Sequence, residues 1–568
     1  MKFIKYSLYR FIIQILFSTN VSNIFRILTY ITFNRYVNLF IILSLSFLRC
    51  NYWMLIRLFP SLNELIAEHG PTRDDVIAWA KNEVRLETEK YKNEQETKAV
   101  QITFHADRKL DYGQQRFFQG GYLFAQSIYY GLRLDKTCRK IKSRHKYQFD
   151  LNAILSDLIY NRILDPQSKE SAYHAAQEFL EPPSYELHDV YRALSILAAE
   201  SDFIQSEVFK NSNFLEERNS RILYYDCSNF YFEIEQKDGM KKYGKSKEQT
   251  SLKPLEVKIL QQFGCDKFIY CSDAGLASQA NRNFNHMGKR AFIVTQSIKK
   301  LRTEDKAVAL NKDGFKRLSD NRKITFEDIS DDGSNELYYK EIPYVSGNLD
   351  QRLIVTYSPK YAAYQQAIRQ AQVDRAKAML ENGSLKKNRK NPNDPARFIG
   401  KGASTKDGEV ADIHYYPDES KVAEEAKYDG LYAVSTDLLD DEVKDILKVS
   451  EERWQIEECF RIMKTDFSTR PIYVQREDRI KAHFLICFLA LLSYRLLEKQ
   501  LDNKYTCEEI LKTMKEMNFV DLEGQGFTPT YIRNKLTDDL HKTCGFDTDF
   551  QFISKSKMKE IEKESKRR

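Results

Sequence analysis

The sequence predicts an α/β fold that combines a helical N-terminal part with a β-rich insertion, and two patterns indicate this. Residues 119–215 read as successive helices with Gly and Pro between them. From Arg221 onward, short apolar strands alternate with helical segments, as in a sheet whose strands are joined by helices. With 568 residues, 42% hydrophobic and 30% charged, the chain has the composition of a soluble globular protein of several domains.

Charge and cysteine content argue against two simple interpretations: an overall basic nucleic-acid-binding protein, and a zinc or disulfide protein. The net charge of +7 comes from residues 1–63, which contain seven bases and no acid; removing those seven from the 88 bases leaves 81, which balances the 81 acids. A nucleic-acid surface would therefore require local segregation of charge. The nine cysteines form no CxxC pair and no Cys/His ligand spacing. We expect reduced thiols rather than a zinc site or disulfides.

The acid-free segment 1–63 is unlike the rest of the chain. Its most apolar stretch, Tyr36–Leu48, is short for a membrane span and is followed by Arg49. Two interpretations stay open: a membrane anchor or signal-like segment, and a stretch that is not native coding sequence. We favour the second, because a composition rich in Ile, Leu, Phe, Tyr and Asn is what an upstream start in AT-rich DNA would give.

Two acids stand on or at the ends of successive predicted strands. Asp226 lies within RILYYDCSNFYFEIE, and Asp273 ends the strand in DKFIYCSDAGLAS. An ionised side chain in an apolar strand costs free energy unless it is paired or holds a metal. The alternative is that each aspartate only caps a turn or faces water at a strand end.

Residues 300–430 interrupt this alternation. They contain three strand-like pieces (KITFEDI, ELYYKEI and QRLIVTYS), a long charged helix and the basic loop LKKNRKNPNDPARFIGKG. That loop is expected to be a solvated linker, with a DNA contact as the alternative, and the same two alternatives apply to the basic cluster Lys136–Lys146.

The stretch EERWQIEECFRIMKTDF, residues 451–467, predicts a helix that gathers charge on one face. At 3.6 residues per turn, Arg453 and Arg461 lie roughly 40° to either side of Glu457, and Lys464 lies within roughly 20° of it. An apolar stripe runs beside this face: Ile456, Phe460, Met463 and Phe467. Taken alone, such a face is explained equally well by solvated ion pairs.

Two further segments follow. The apolar helix in residues 479–501 is predicted to be a core helix rather than a membrane span, because Ser493, Tyr494 and Arg495 interrupt it. The C-terminal SKSKMKEIEKESKRR is charged, and we expect it to fray.

Together these motifs resemble a DDE transposase of bacterial insertion sequences, in the branch with a Tyr-x2-Arg-x3-Glu-x6-Lys signature and a β-rich insertion before the catalytic Glu. The resemblance covers roughly residues 100–510. RWQIEECFRIMK keeps the Arg, Glu and Lys spacing, whereas Ser450 stands at the Tyr position. Further similarity lies in YDCSNFYFE, SDAGLASQAN, YDGLYAVST and TRPIYVQREDRIKAHFLICFLALL, which occur in the family's order.

The resemblance implies an RNase H-like core in which Asp226, Asp273 and Glu457 hold two Mg²⁺ ions and catalyse DNA cleavage and strand transfer. It implies that three bases contact DNA: Arg453, Lys464 and Arg461. The partners implied are double-stranded DNA, as element ends and target, and a second copy of the chain when assembled on DNA. The location implied is the cytoplasm, at the nucleoid, with no membrane association.

We therefore divide the chain as follows: an atypical apolar segment, 1–63; a helical, DNA-binding domain, 64–215; the first part of the RNase H-like core, 216–300; a β-rich insertion domain, 301–430; the second part of the core, 431–510; and a charged tail, 511–568.

The sequence departs from the family between its first two acids. Asp273 follows Asp226 by 47 positions, and Glu235–Ser251 shows no apolar alternation where two more strands are needed. We infer a deletion near Glu248 and Gln249 that removes those strands, so the activity of this copy stays open. The alternatives are a non-catalytic DNA-binding remnant and a membrane-associated protein.

Overall fold

The computed structural model describes residues 106–216, 221–226, 268–329, 335–382, 393–404 and 412–567, with isolated positions between 82 and 104. Contacts divide the chain into two units, Met1–Lys109 and Leu110–Arg568. The acid-free segment 1–63 and the deletion inferred near Glu248 lie outside the described residues. Residues 383–392, which contain the first part of the predicted basic loop, also lie outside the described residues.

The described elements of Leu110–Arg568 are bounded as follows. The helices are α1 (Tyr122–Gly131), α2 (Leu134–Lys142), α3 (Leu151–Leu164), α4 (Lys169–Ala176), α5 (Leu187–Ala199), α6 (Ser201–Leu215), α7 (Gln279–Asn285), α8 (Thr303–Leu310), α9 (Pro359–Glu381), α10 (Glu419–Ala426), α11 (Val443–Glu452), α12 (Trp454–Lys464), α13 (Glu477–Gln500), α14 (Cys507–Glu516), α15 (Lys535–Cys544) and α16 (Lys555–Glu564). The strands are β1 (Phe117–Gln119), β2 (Ile222–Tyr225), β3 (Ile269–Ser272), β4 (Ala291–Thr295), β5 (Lys316–Arg317), β6 (Tyr338–Ser346), β7 (Leu349–Tyr357), β8 (Ile399–Ser404), β9 (Asp412–Pro417), β10 (Leu431–Thr436), β11 (Asn518–Asp521), β12 (Gly526–Pro529) and β13 (Ile553–Ser554).

The fold is mixed α/β, and its largest sheet is mixed as well. The strand order is β2-β3-β4-β10-β7-β6-β5; β2, β3 and β4 are parallel, and every pair beyond β4 is antiparallel. Parallel strands require a crossover, and α7 provides the one between β3 and β4. The predicted alternation of strands and helices from Arg221 is therefore observed where the chain is described.

Strands from residues 301–430 continue this same sheet. ELYYKEI and QRLIVTYS form the hairpin β6–β7, whose two-residue turn has positive φ at Gly347 (60°) and Asn348 (60°), as a type I′ turn requires. The third strand-like piece, KITFEDI, is not a strand: it contains a single bridge at Lys323 and a 3-10 turn, Phe326–Asp328. Phe326 instead packs on the core beside Tyr357, so tertiary packing overrides the β propensity of a short segment.

Helices from both ends of the unit share one core around α13. This helix contacts α1, α3, α5 and α12, and its buried residues belong to the same cluster as those of α1–α6. Within the described residues, α13 is one helix long and apolar enough to cross a membrane, but 72% of its most apolar window is buried in the protein. That burial is what the sequence predicted for a core helix.

The charged C-terminal segment does not fray, and this expectation was wrong. Residues 518–564 form β11, β12, α15, β13 and α16, and β11 pairs with β1. On α16, Met558 (1% exposed) and Ile561 (0% exposed) enter the helical core, and the Ser554 side chain caps the helix by accepting from the Lys557 N–H. Two apolar residues three apart are enough to dock a helix that is otherwise charged.

Candidate active site

Asp226 and Asp273 lie side by side at one edge of the sheet. Tyr225 pairs with Ser272 in the parallel register of β2 and β3, and each aspartate is the next residue of its chain. Neighbouring strands lie about 4.8 Å apart, so the two positions are adjacent at the carboxyl ends of the strands. Both residues are partly buried.

The turn after β3 holds Asp273 from its own backbone. The Leu276 N–H donates to Asp273 Oδ1 at 3.1 Å, which closes a turn on the side chain. Gly275 leaves room for this carboxylate, because a Cβ at that position would approach Asp273 Oδ2 to 3.2 Å and push it aside by a few tenths of an ångström. The Ser278 side chain then caps α7 by accepting from the Asn281 N–H.

Arg282 on α7 fixes this turn to the sheet. Its Nε donates to Ala277 O at 3.1 Å, its Nη1 to Gln351 Oε1 at 2.7 Å and its Nη2 to Gln296 Oε1 at 2.5 Å. The side chain is only 5% exposed. No motif in the sequence points to Arg282; the polar repeat Asn281, Arg282 and Asn285 on a short helix is the only signal for a buried polar network.

Helix α11 carries the predicted signature stretch toward the same edge. Val443, Ile446 and Leu447 pack with Cys271 of β3, and the Tyr224 hydroxyl donates to Glu452 Oε2 at 3.1 Å. The predicted continuous helix 451–467 is interrupted at Arg453, where α11 ends and an i→i+3 bond from the Ile456 N–H begins α12.

Arg453 lies near both Glu457 and Asp273, the residue that follows β3. Its Nη1 lies 2.7 Å from Glu457 Oε1; the Arg453 side chain is 18% exposed, and that of Glu457 is 54% exposed. Burial lowers the pKa of Arg453, but the nearby charges of Glu457, Tyr432 and Asp273 raise it more, so the pKa lies above the ordinary guanidinium value. Arg453 is therefore within electrostatic reach of both acids.

The third acid does not join the other two in this arrangement. Across the described ranges, no three His, Cys, Asp or Glu side chains lie close enough to hold one metal ion. Asp226 and Asp273, as adjacent oxygen donors at strand ends, fit a divalent cation, whereas the Glu457 carboxylate is directed to Arg453.

The two other predicted DNA-binding bases differ in their surroundings. Arg461 lies 2.7 Å from Glu458 and 3.2 Å from Asp466, so acids of its own segment hold it. The Lys464 ammonium lies 5.9 Å from the centre of the Phe460 ring. Of the predicted apolar stripe, Met463 on α12 and Phe467, three residues beyond the helix, are buried in the helical core, whereas Ile456 and Phe460 are partly buried.

Half of the bases in the cluster Lys136–Lys146 are paired with acids. The cluster runs from α2 into the turn that follows it, and Arg139 pairs with Asp135, Lys140 with Glu207 and Arg144 with Glu200. These pairs favour the interpretation as a solvated helix end over a phosphate-contacting face.

The family described as the transposase DDE domain matches residues 273–493. Residues 273–493 of the chain therefore form a transposase DDE domain. No curated protein matches the chain. The transposase domain match begins at Asp273, contains Glu457 and ends within α13. It includes the strands of residues 301–430, so the β-rich segment lies inside the matched domain.

Proposed function

We propose that the chain is an insertion-sequence transposase with an RNase H-like core, which cuts DNA at the element's ends and joins it to target DNA. The observation that carries this is the register of β2 and β3, which sets Asp226 beside Asp273 at the margin of a matched transposase DDE domain. In that core, the strand-end aspartates and Glu457 are the catalytic acids.

Asp226 and Asp273 would hold Mg²⁺, with Glu457 as the further ligand after it leaves Arg453. Two such ions, when bound, neutralise the attacking and leaving oxygens of a phosphodiester. Water attacks the phosphorus first and displaces a 3′-oxygen. The freed 3′-hydroxyl then attacks a target phosphodiester and displaces a 3′-oxygen of the target strand. The described residues contribute by fixing Asp273 and its turn, through the Leu276 N–H and the Arg282 contacts.

Arg453 has two functions in this proposal. Without DNA it pairs with Glu457; with DNA, its guanidinium binds a backbone phosphate, which has the geometry for paired N–H donors. The exchange of one anion for the other frees the Glu457 carboxylate. Lys464 and Arg461 follow on the same helix as further phosphate contacts, although Arg461 must first leave Glu458 and Asp466.

The inferred loss of two strands leaves a second candidate, a non-catalytic DNA-binding remnant. β2 has only four residues and is the terminal strand of the sheet order among the described residues. A sheet edge that lacks its neighbours would weaken the support beneath Asp226. This candidate retains DNA binding, dimer formation on DNA and a place at the nucleoid, but performs no chemistry.

Donor-end cleavage with Mg²⁺ separates the two candidates. The purified full chain is incubated with the ends of its own element, beside Glu457→Ala as the control. The active transposase predicts cleavage by the wild type and at least a hundredfold less by the variant, because the variant lacks one of three acids. Equal background cleavage, with a sequence-specific mobility shift retained by both proteins, would establish the remnant instead.

A membrane-associated protein is the remaining alternative, through residues 1–63. Fractionation of the full chain and of a chain lacking residues 1–60 tests it. We expect both in the soluble fraction; recovery of only the full chain with membranes would contradict the proposed location.

A further inference from the structure

A cavity of about 390 Å³ lies beside the loop that follows α12. It is bounded by that loop, by the α3–α4 connection and by α13, and the residues that matter here are Arg162, Ser168, Lys169, Arg470, Tyr473 and His483. None of the residues that line it is an aspartate or a glutamate. Its volume is in the range of small-ligand sites, yet its charge is strongly positive.

Lys169 is the unusual member of this cavity. It is the first residue of α4 and is only 5% exposed. Among the described residues, no hydrogen bond or ion pair holds its ammonium group. Burial and the charge of Arg162 lower the pKa of Lys169 to about 7. A buried ammonium without a partner is costly, so the folded chain keeps this residue at the expense of stability.

Arg162 adds a second buried charge without a counter-ion. It is 4% exposed, and its Nη atoms donate to Phe467 O (3.1 Å), Ser468 O (3.4 Å) and Gln167 O (2.9 Å). These acceptors are carbonyls, which orient the guanidinium but do not neutralise it. Its Nε has no hydrogen-bond partner in the described part of the chain.

The neighbouring titratable groups do not compensate this charge. Burial, together with Lys169 and Arg162, lowers the pKa of His483 well below its ordinary value, so the ring is neutral and its Nε2–H donates to Thr469 O at 3.0 Å. Asp165 is bound by Lys515 at 2.9 Å, and Asp157 accepts from the Tyr185 hydroxyl at 2.8 Å.

The N-terminus of α4 reinforces the positive potential. The Ser168 side chain caps the helix by accepting from the Ser171 N–H, and the N–H groups of the first turn carry the positive end of the helix dipole. At the rim of the cavity, the Tyr473 side chain is 69% exposed. An exposed aromatic ring beside a cationic recess is the combination that binds a nucleic-acid strand by stacking and charge.

We propose that this cavity binds a phosphate group through Lys169 and Arg162, and that the group is a backbone phosphate of the DNA on which the enzyme acts. The identification of DNA as the source rests on the proposed function. The loop that forms the cavity leaves α12 directly after Lys464, so a strand bound along that helix continues toward Lys169. Free inorganic phosphate has the same chemistry and is the alternative source.

Two variants of the full chain test the proposal. Lys169→Met keeps the length of the side chain and removes its charge, and Lys512→Met, which changes a lysine 70% exposed on α14, is the matched control. In the first arm, thermal unfolding is followed with inorganic phosphate and with chloride at equal ionic strength. We expect phosphate to raise the midpoint of the wild type and of Lys512→Met but not of Lys169→Met.

In the second arm, DNA binding is measured against salt with a duplex of the element's end. Lys169→Met is expected to bind about tenfold more weakly, the value of one charged hydrogen bond, and to reduce the slope of log K against log salt by about one. Tyr473→Ala changes an exposed side chain, so it keeps the fold. We expect it to weaken DNA binding and to leave the phosphate response unchanged.

The outcomes distinguish this inference from the proposed function. A phosphate response that Lys169→Met abolishes, in a chain that binds no DNA, keeps the anion site but overturns DNA as its source. A Lys169→Met chain that matches Lys512→Met in both arms overturns the site, whether or not the wild type cleaves DNA. In chloride, the Lys169→Met chain is expected to have a higher melting midpoint than the wild type, because the substitution removes an unpaired buried charge. A Lys169→Met chain that fails to fold would therefore also overturn the site.

Discussion

Replacement of Arg282 by Met tests whether the turn that carries Asp273 is fixed by α7. The variant keeps the unbranched stem and removes every hydrogen bond of the guanidinium. Gln351 Oε1 retains the Ser435 hydroxyl as a donor at 2.8 Å, whereas Ala277 O and Gln296 Oε1 lose the guanidinium as a donor. A buried acceptor left without a donor costs about 1–3 kcal/mol.

Both acceptors lie on partly buried residues, where water can replace the guanidinium as a donor, so we expect a loss of roughly 1–3 kcal/mol in the free energy of unfolding. That is a measurable part of the roughly 5–15 kcal/mol that stabilises an ordinary domain. Arg282→Lys is expected to lie between the variant and the wild type, because one ammonium cannot reach acceptors on three sides. Arg192→Met is the control, since Arg192 is 69% exposed and its partner Asp189 lies 3.7 Å away.

Urea denaturation followed by circular dichroism measures the stability, and donor-end cleavage at a temperature where the variant remains folded measures the function. We expect cleavage to fall at least tenfold while DNA affinity is unchanged, because Arg282 is buried and only its effect on Asp273 reaches the substrate. An Arg282→Met chain as stable as Arg192→Met, with equal cleavage, would refute the reasoning that α7 holds this turn.

Two further predictions concern the helical core. Ile561→Ala is expected to cost about 2–5 kcal/mol and to expose α16 to proteases, because Ile561 is fully buried; Lys563→Ala, on the exposed side of α16, is the control, and equal digestion would contradict docking of α16. Burial lowers the pKa of His483, with Lys169 and Arg162 adding to the shift. His483 therefore takes up a proton near pH 6.5 in the unfolded chain, whereas in the folded chain it stays neutral at that pH. The free energy of unfolding that His483 contributes is fully present above pH 6.5. It falls by up to about 1.4 kcal/mol per pH unit as the pH decreases from 6.5 toward the pKa of His483 in the folded chain. We expect His483→Gln to remove this slope in urea titrations at pH 7 and 5.5.

Local sequence pattern predicted the elements whose pattern and burial agree. The apolar residues before Asp226 and Asp273 form parallel strands that place the two acids in register, although Asp226 was expected in the middle of its strand and follows the last residue of β2. The stripe on α12 entered the core at Met463 and Phe467, where the helix docks. In each case the periodicity of one short segment carries the information.

The errors lie where distant residues decide. α16 was expected to fray because only Met558 and Ile561 interrupt its charges, and the surface that receives them comes from the helical core. The cavity around Lys169 is lined by residues of α3, α4, α13 and the loop after α12. Because these segments are distant in the sequence, no local pattern predicts the cavity. Arg282 joins three strands in the same way, and the sequence shows only an arginine on a short polar helix.

A helical projection shows which residues surround Glu457, but it cannot show which of them its carboxylate contacts. The projection put Arg453, Lys464 and Arg461 around the acid, and the structure shows that the first of these binds it. An i,i+4 helix pair contributes only about 0.3–0.5 kcal/mol, so little free energy holds the Glu457 carboxylate to Arg453. The Arg453 side chain, by contrast, is 18% exposed, and the charge of Asp273 contributes to its raised pKa. Arg453 and the turn of Asp273 are therefore held by the fold, whereas the Glu457 side chain, 54% exposed, is the less enclosed partner of the pair.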